Sequence, residues 1–471
     1  MLRRSSFLLT SSPTLFFILT KPAKNLSFTT ITPSSQKTSR YYSSSVSSSS
    51  SSSLYSSVSS TFRCVIDLSE YLLNGSDWTK APEISDFIGP LRIGRTQDGR
   101  GRGLFLTRDV SVGDIVIASN AFIASYNDEN NEKMYNKAAA IVKNSPRAIR
   151  QLYSLAGGLD HQNSMLLDVP KIELFDLKIP DVELFDPAEK IVFDEDRIRH
   201  IIQTNSFSGK MGIVNKKKNE PEKKINALWL LPSFINHSCS PNTSRLLVGE
   251  TMVFIAARDM KAREEITICY TDCMLPLRKR GKVLERTGGG FHCECKRCTL
   301  ERLLEKELRD ITNAYLEHYD KAAEEVYLVA TTRAQGSFSS SKELAIVFDR
   351  LMKKLDTLSL SKQEKQWILG GYSNGFLANF LTAGYTQDFK EPDSFANSTA
   401  MEVVIAMQET VPGFLRTLTL AVMLATISTK PAYRSVLVQL AMDESVRLYG
   451  KQRPDVIKHM ALQAIELVPF F

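Results

Sequence analysis

The chain has 471 residues, enough for two or three domains with a sizeable core. Its 43% hydrophobic and 24% charged residues exclude a wholly disordered, collagenous or disulfide-scaffold protein. The net charge of +7 resides in the first 66 residues, which hold Arg3, Arg4, Lys21, Lys24, Lys37, Arg40 and Arg63 and no acid; beyond them 52 basic residues face 52 acidic ones, so the balance is no sign of nucleic-acid binding.

Residues 1–60 are acid-free, Arg-bearing and Ser-rich, the composition of an organelle transit peptide. The nearly unbroken serines from Ser43 to Ser60 cannot pack a core. Arg40-Tyr41-Tyr42-Ser43 resembles the cleavage neighbourhood of plant mitochondrial presequences, so a mitochondrion is the expected address. The chloroplast is an alternative, as is the nucleus with this segment as a disordered tail. Residues 61–90 read as a linker.

From Leu91 the texture turns to β. Gly101-Arg102-Gly103 leads into Leu104-Phe105-Leu106, and a turn at Val112-Gly113-Asp114 leads into Ile115-Val116-Ile117, which reads as a hairpin. Residues 126–200 read as a helical insert: Met134, Ala138, Ile141 and Val142 share one face, an irregular stretch spans 165–193, and Asp194 caps a further helix. The run with Lys216-Lys217-Lys218 is a solvated loop, since acids interleave and aromatics do not. β character returns at Met252-Val253-Phe254-Ile255 and Ile266-Thr267-Ile268. Residues 301–471 read as an all-α region of paired helices, with capping-box spacing at Ser340/Glu343 and Ser361/Glu364. The apolar stretch Thr417–Thr429 falls short of the ~18 residues a membrane span requires.

Three motifs carry chemistry. They are Asn236-His237-Ser238-Cys239-Ser240-Pro241-Asn242, Glu264-Glu265-Ile266-Thr267-Ile268-Cys269-Tyr270, and Phe291-His292-Cys293-Glu294-Cys295-Lys296-Arg297-Cys298 behind a Gly288-Gly289-Gly290 hinge. Seven cysteines outside an oxidising compartment argue against a disulfide framework and for metal. Cys293, Cys295 and Cys298 place three thiols in one tight loop, and a tetrahedral structural zinc requires a fourth. Cys239, in a Ser/Pro/Asn turn, is the best donor. Cys269, on a strand, and Cys273, just past it, are weaker ones.

Together these motifs resemble a SET-domain protein lysine methyltransferase, close to the SET-and-MYND type. The resemblance implies an α+β fold: a SET β-fold of several small curved sheets over residues 91–275 with the 126–200 insert, a post-SET zinc segment over 276–300, and a TPR-like helical domain over 301–471. It implies S-adenosyl-L-methionine as cofactor, one structural zinc on Cys239, Cys293, Cys295 and Cys298, and a lysine-bearing protein substrate, histone or non-histone, without nucleic acid or a membrane span. It assigns cofactor contacts to Gly101, Arg102, Gly103, Asn205, Ser233, Asn236, His237, Tyr270 and Phe291. The catalytic residue is Tyr270, and the substrate channel is walled by Phe207, Tyr270 and Phe291. One departure stands out: residues 104–238 contain no Cys, so the zinc module that the SET-and-MYND type inserts there is missing. An inactive scaffold that binds protein through its helices is the alternative. A dinucleotide-binding oxidoreductase is excluded, because Gly101-Arg102-Gly103 lacks the third glycine and precedes a strand.

Overall fold

The computed structural model describes residues 64–65, 68–70, 72–73, 84–126, 131–157, 168–186, 189, 191–210, 224–286, 290–332, 338–385 and 397–466. The Ser-rich leader and the Lys216-Lys217-Lys218 run lie outside them.

The β region is four small sheets. The largest has the order β1 (Phe87–Ile88), β4 (Ile115–Asn120), β10 (Thr251–Ala256), β9 (Thr243–Val248), all antiparallel. Every residue of β10 is buried. Its Met252, Phe254 and Ala256 face one hydrophobic cluster, and its Val253 and Ile255 face another. A strand covered on both sides cannot alternate apolar with polar, which is why this one reads as an unbroken apolar run.

The hairpin is formed differently from the sequence expectation. Leu104-Phe105-Leu106 belongs to β3 (Arg102–Leu106), whose antiparallel partner is the preceding β2 (Leu91–Arg95), whereas Ile115-Val116-Ile117 joins the large sheet. The turn is made at residues 96–101, where Gly99 and Gly101 adopt φ of 75° and 92°, values open to glycine at no steric cost. A third sheet has the order β5 (Ile123–Tyr126), β7 (Lys224–Leu228), β6 (Phe207–Lys210). The fourth joins β8 (Asn236–His237) to β11 (Thr267–Ile268) in parallel.

The insert contains α1 (Glu132–Asn144) and α2 (Pro146–Tyr153), separated by Ser145, which caps α2 by accepting from the Ala148 N–H. The irregular stretch is organised by one side chain. Buried Arg147 donates to the carbonyls of Glu173, Leu174, Asp176 and Ile179. Asp194 caps α3 (Glu195–Asn205) through Arg197 N–H, as its sequence suggests.

Behind the sheets lie α4 (Leu277–Leu284), α5 (Lys296–Leu303), α6 (Arg309–Thr332), α7 (Ser339–Asp356), α8 (Lys362–Gly370), α9 (Ser373–Tyr385), α10 (Ser398–Thr410), α11 (Leu415–Ile427), α12 (Pro431–Tyr449) and α13 (Pro454–Glu466). Ser361 and Glu364 form the anticipated capping box on α8. The Ser340/Glu343 pairing does not form. The N–H groups of Ser340 and Ser341 are instead accepted by Glu325 of α6. Among the described residues no helix is long and apolar enough to cross a membrane. Segment 61–90, read as a linker, supplies Cys64, Leu68, Leu72, Ile84 and Phe87 to the core shared by the large sheet and the helices.

Candidate functional site

Parallel pairing of β8 with β11 sets Asn236 beside Thr267 and His237 beside Ile268. The two segments that carry the sequence motifs therefore run side by side, and Ser238 N–H continues the pairing onto Ile268 O at 2.9 Å. Tyr270 emerges two residues later. Its backbone N–H donates to His237 Nδ1 at 2.9 Å, and its hydroxyl donates to Ile235 O at 2.5 Å. Because Nδ1 accepts, the proton of the neutral imidazole sits on Nε2, which faces Cys239 Sγ at 3.2 Å. Burial pushes the His237 pKa down to about 3, so the ring is neutral at physiological pH. Burial also raises the Tyr270 phenol well above its ordinary value, so the hydroxyl stays protonated.

The rings of His237, Tyr270 and Phe291 lie against one another, with centroids 5.3 Å apart for His237–Tyr270, 5.7 Å for His237–Phe291 and 6.4 Å for Tyr270–Phe291. Tyr270 and Phe291 are only half-buried, so this aromatic corner keeps accessible surface. Asn236 Nδ2 donates to Arg102 O at 2.8 Å and to Glu265 Oε1 at 2.7 Å, which brings the Gly-Arg-Gly strand into the same cluster. Gly103 is required there: a Cβ on it would stand 2.5 Å from Glu265 Oε1 and 3.0 Å from Asn236 Nδ2. Glu265 in turn pairs with Arg100 at 2.6 Å.

Four of the expected site residues direct their side chains to partners outside the aromatic corner. The guanidinium of Arg102 turns away to Asp168 O at 3.0 Å and lies over the Phe234 ring, leaving its backbone to face Asn236. Asn205 donates its amide to the carbonyls of Ala156 and Ile201, and Ser233 donates its hydroxyl to Trp229 O. Among the described residues, no hydrogen bond or ring contact joins Asn205 or Ser233 to the aromatic corner. Phe207 is buried and packs edge-on against Trp229 at 6.0 Å.

The sulfurs of Cys239, Cys293, Cys295 and Cys298 lie within 4.8 Å of one another. A tetrahedral ion with metal–sulfur bonds of ~2.3 Å sets its ligands about 3.8 Å apart, so this donor set fits zinc. Hydrogen bonds from the other three hold the Cys295 thiol far below the ordinary thiol range. Arg280 donates to Cys239 Sγ at 3.3 Å and to Cys298 Sγ at 3.5 Å. Arg297 donates to the carbonyls of Cys239 and Cys273, and Glu301 joins the two guanidinium groups at 2.6 and 2.9 Å. A tetrathiolate around a divalent ion would be doubly negative, and Arg280, which donates to two of the sulfurs, would offset part of that charge. Cys269 and Cys273 bond to each other, so the chain has a disulfide where the sequence argued against a disulfide framework.

The sequence reading missed Arg280, Glu301, Glu265 and Asp272. Asp272 pairs in the interior with Arg416 of α11 at 3.3 Å, two residues beyond Tyr270. Nothing in the spacing of these residues announces their partners, which lie far along the chain on turns, strands and other helices.

The chain is similar to known proteins over part of its length. The SET domain family matches residues 101–271. A protein of Gibberella zeae named methyltransferase is 26% identical over 248 residues, covering 48% of this chain and 34% of the relative. The potential protein lysine methyltransferase SET6 of Saccharomyces cerevisiae is 33% identical over 107 residues, 22% of this chain and 28% of that one. The histone-lysine N-methyltransferase SMYD3 of Homo sapiens is 42% identical over 66 residues, 14% of this chain and 15% of that one. The chain thus spans about a third or less of the length of these relatives. A crystal structure of the SET domain of LSMT bound to lysine and AdoHcy aligns at 11% identity with a TM-score of 0.23, over 65% of this chain and 88% of that chain. Residues 101–271, which contain the parallel β8–β11 pairing, are thus the part of the chain that is similar to the SET domain family.

Proposed function

We propose that this chain transfers methyl groups from S-adenosylmethionine to a lysine side chain of a protein, histone or non-histone. The observation that carries the reading is Tyr270: its backbone is held by His237, its hydroxyl proton is directed to Ile235 O, and its ring stands at right angles to that of Phe291. S-adenosylmethionine supplies, when bound, a methyl carried on a sulfonium. The aromatic corner and the amide of Asn236 fit such a group, since ring faces attract a cation and stack on a base.

Each remaining step belongs to the protein. The Tyr270 hydroxyl gives its proton to Ile235, so its oxygen faces the site only as an acceptor, suited to orient a lysine amine. Ser233 is disposed in the same way, its hydroxyl donating to Trp229 and its lone pairs left for a donor ammonium. The backbone of Gly101-Arg102-Gly103, with Asn205, Asn236 and His237, completes the cofactor contacts. Phe207 and Phe291 wall the lysine channel and limit its width. A free lysine has a pKa of ~10.4 and arrives charged. An apolar wall disfavours the ammonium and lowers that value, so that its proton passes to water and a neutral amine is left as nucleophile. Much of the acceleration then comes from alignment of the reactants. The four cysteines hold a structural zinc, and residues 1–60 direct the chain to the mitochondrion.

The test is Tyr270→Phe and Asn236→Ala with radiolabelled S-adenosylmethionine and fractionated mitochondrial, chloroplast and nuclear extracts. Both variants should lose labelling by roughly 100-fold, the effect of misplacing reactants by about 1 Å. Labelling equal to wild type in both would remove the site from the proposal. A reporter fused to residues 1–60 checks the address.

A further inference from the structure

One half-buried cation near the site has no ionic partner among the described residues. Arg245 lies on β9, opposite Phe254 of β10. Its Cζ stands 5.7 Å from the centre of the Phe207 ring. It makes no hydrogen bond and no ion pair with any described residue. The interior arginines behave otherwise. Arg102, Arg147, Arg280, Arg297 and Arg416 all donate to carbonyls, carboxylates or sulfurs. Desolvation lowers the Arg245 pKa, and the group whose field reaches it is Tyr270. Arg245 therefore stands over Phe207, a wall assigned to the lysine channel, on the face of β9 that it shares with Phe254 across the ladder.

A guanidinium remains charged in proteins and presents a planar fork of donors. In a channel that also takes a sulfonium and a lysine, an unpaired third cation repels substrate unless an anion accompanies it. The chemistry that pairs best with the fork is a carboxylate, through two parallel N–H···O bonds.

We infer that Arg245 is a specificity-determining residue that reads a carboxylate on the protein substrate close to the target lysine. This rests on the methyl-transfer reading above. The carboxylate can come from an Asp or Glu side chain or from a chain end. Either source satisfies the same fork.

The experiment uses the full chain and seven-residue peptides with a central Lys. One set carries Glu, Gln or Lys at each flanking position, and a second ends in a free carboxylate or an amide. Binding is read by fluorescence anisotropy with S-adenosylhomocysteine present, and methyl transfer by radiolabelled S-adenosylmethionine. Wild type should favour a carboxylate-bearing peptide over its Gln or amide counterpart by roughly tenfold or more, the strength of a charge-assisted hydrogen bond. The set in which preference appears names the source. Arg245→Gln should erase the preference, Arg245→Glu should turn it toward Lys-flanked peptides, and Arg245→Lys should retain part of it. Circular dichroism confirms that each variant folds.

Binding that prefers the carboxylate through Arg245 without any label overturns methyl transfer, and with it the role in choosing a target lysine, and leaves only the carboxylate contact. Labelling that ignores the flanking charge, or a preference that survives Arg245→Gln, overturns the inference and leaves methyl transfer standing. No binding and no labelling of any peptide overturns it as well.

Discussion

His237 ties Tyr270 to the cysteine cluster: one ring nitrogen accepts the Tyr270 N–H at 2.9 Å, and the other faces Cys239 Sγ at 3.2 Å. The ring is thus a spacer between the proposed reacting centre and the cysteine cluster. His237→Ala would leave the Tyr270 N–H without its acceptor, at a cost of about 1–3 kcal/mol. Thermal unfolding should show that loss, and radiolabelled transfer should fall further than stability alone explains. His237→Asn, which restores a short acceptor, should recover part of the stability. Equal stability of the Ala variant and wild type would show that the bond contributes nothing.

The cysteine cluster makes a stoichiometric prediction. Elemental analysis should find one zinc per chain, and Cys293→Ser should abolish it together with cooperative folding. Arg280→Gln tests the surrounding charge separately. It keeps the four sulfurs but withdraws the N–H groups from Cys239 and Cys298. Zinc should then pass to a chromogenic chelator 10- to 100-fold more readily, on the order of other losses around metal ligands. Release at the wild-type rate would mean that Arg280 acts through Glu301 and the Leu275 carbonyl and not through the sulfurs.

The Asp272–Arg416 pair joins the segment after Tyr270 to the helical region. Both side chains are buried, and Arg416 also donates to Asn374 of α9 at 3.0 Å. Removing one member of a buried pair strands the other charge, at about 3–5 kcal/mol. Asp272→Asn and Arg416→Met should each destabilise by that order in urea unfolding. The double variant should be less damaged than the sum of the two. Simple additivity would mean that the ions are not energetically coupled.

What the sequence discloses and what it hides divide along range. Asp194 and the Ser361/Glu364 box are caps whose partners lie within three residues, so spacing alone finds them. The apolar run of β10 is legible because both its faces are covered. The Cys293, Cys295 and Cys298 group is legible through its spacing, and Cys239 through its turn. The misread hairpin has a different origin. Two strand-like runs flanked Gly113, but the turn made at 96–101 gave β3 the preceding strand as partner. Ser340 went astray because Glu325, a residue on another helix, supplies its cap. Arg297 and Glu301 are helical neighbours four residues apart on α5, but Arg280 comes from α4, and only the tertiary structure brings it to them.

Glu444 gives the fold a pH dependence that can be worked out in sign. It lies on α12 without exposure, accepts the Phe414 N–H at the start of α11 and faces Arg447 at 3.4 Å. Burial outweighs these partners and raises its carboxyl from 4.5 to about 7. Between those two values the folded chain holds a proton that the unfolded chain has released. Stability therefore falls as pH rises through that window. The contribution is complete below 4.5 and is lost above 7, amounting to about 3 kcal/mol at 1.36 kcal/mol per unit. Glu444→Gln keeps an oxygen for Phe414 and cannot titrate. Urea midpoints measured from pH 4.5 to 8 should decline less steeply for this variant than for wild type. Parallel declines would assign the slope to another group and leave Glu444 charged in the interior, held by Arg447.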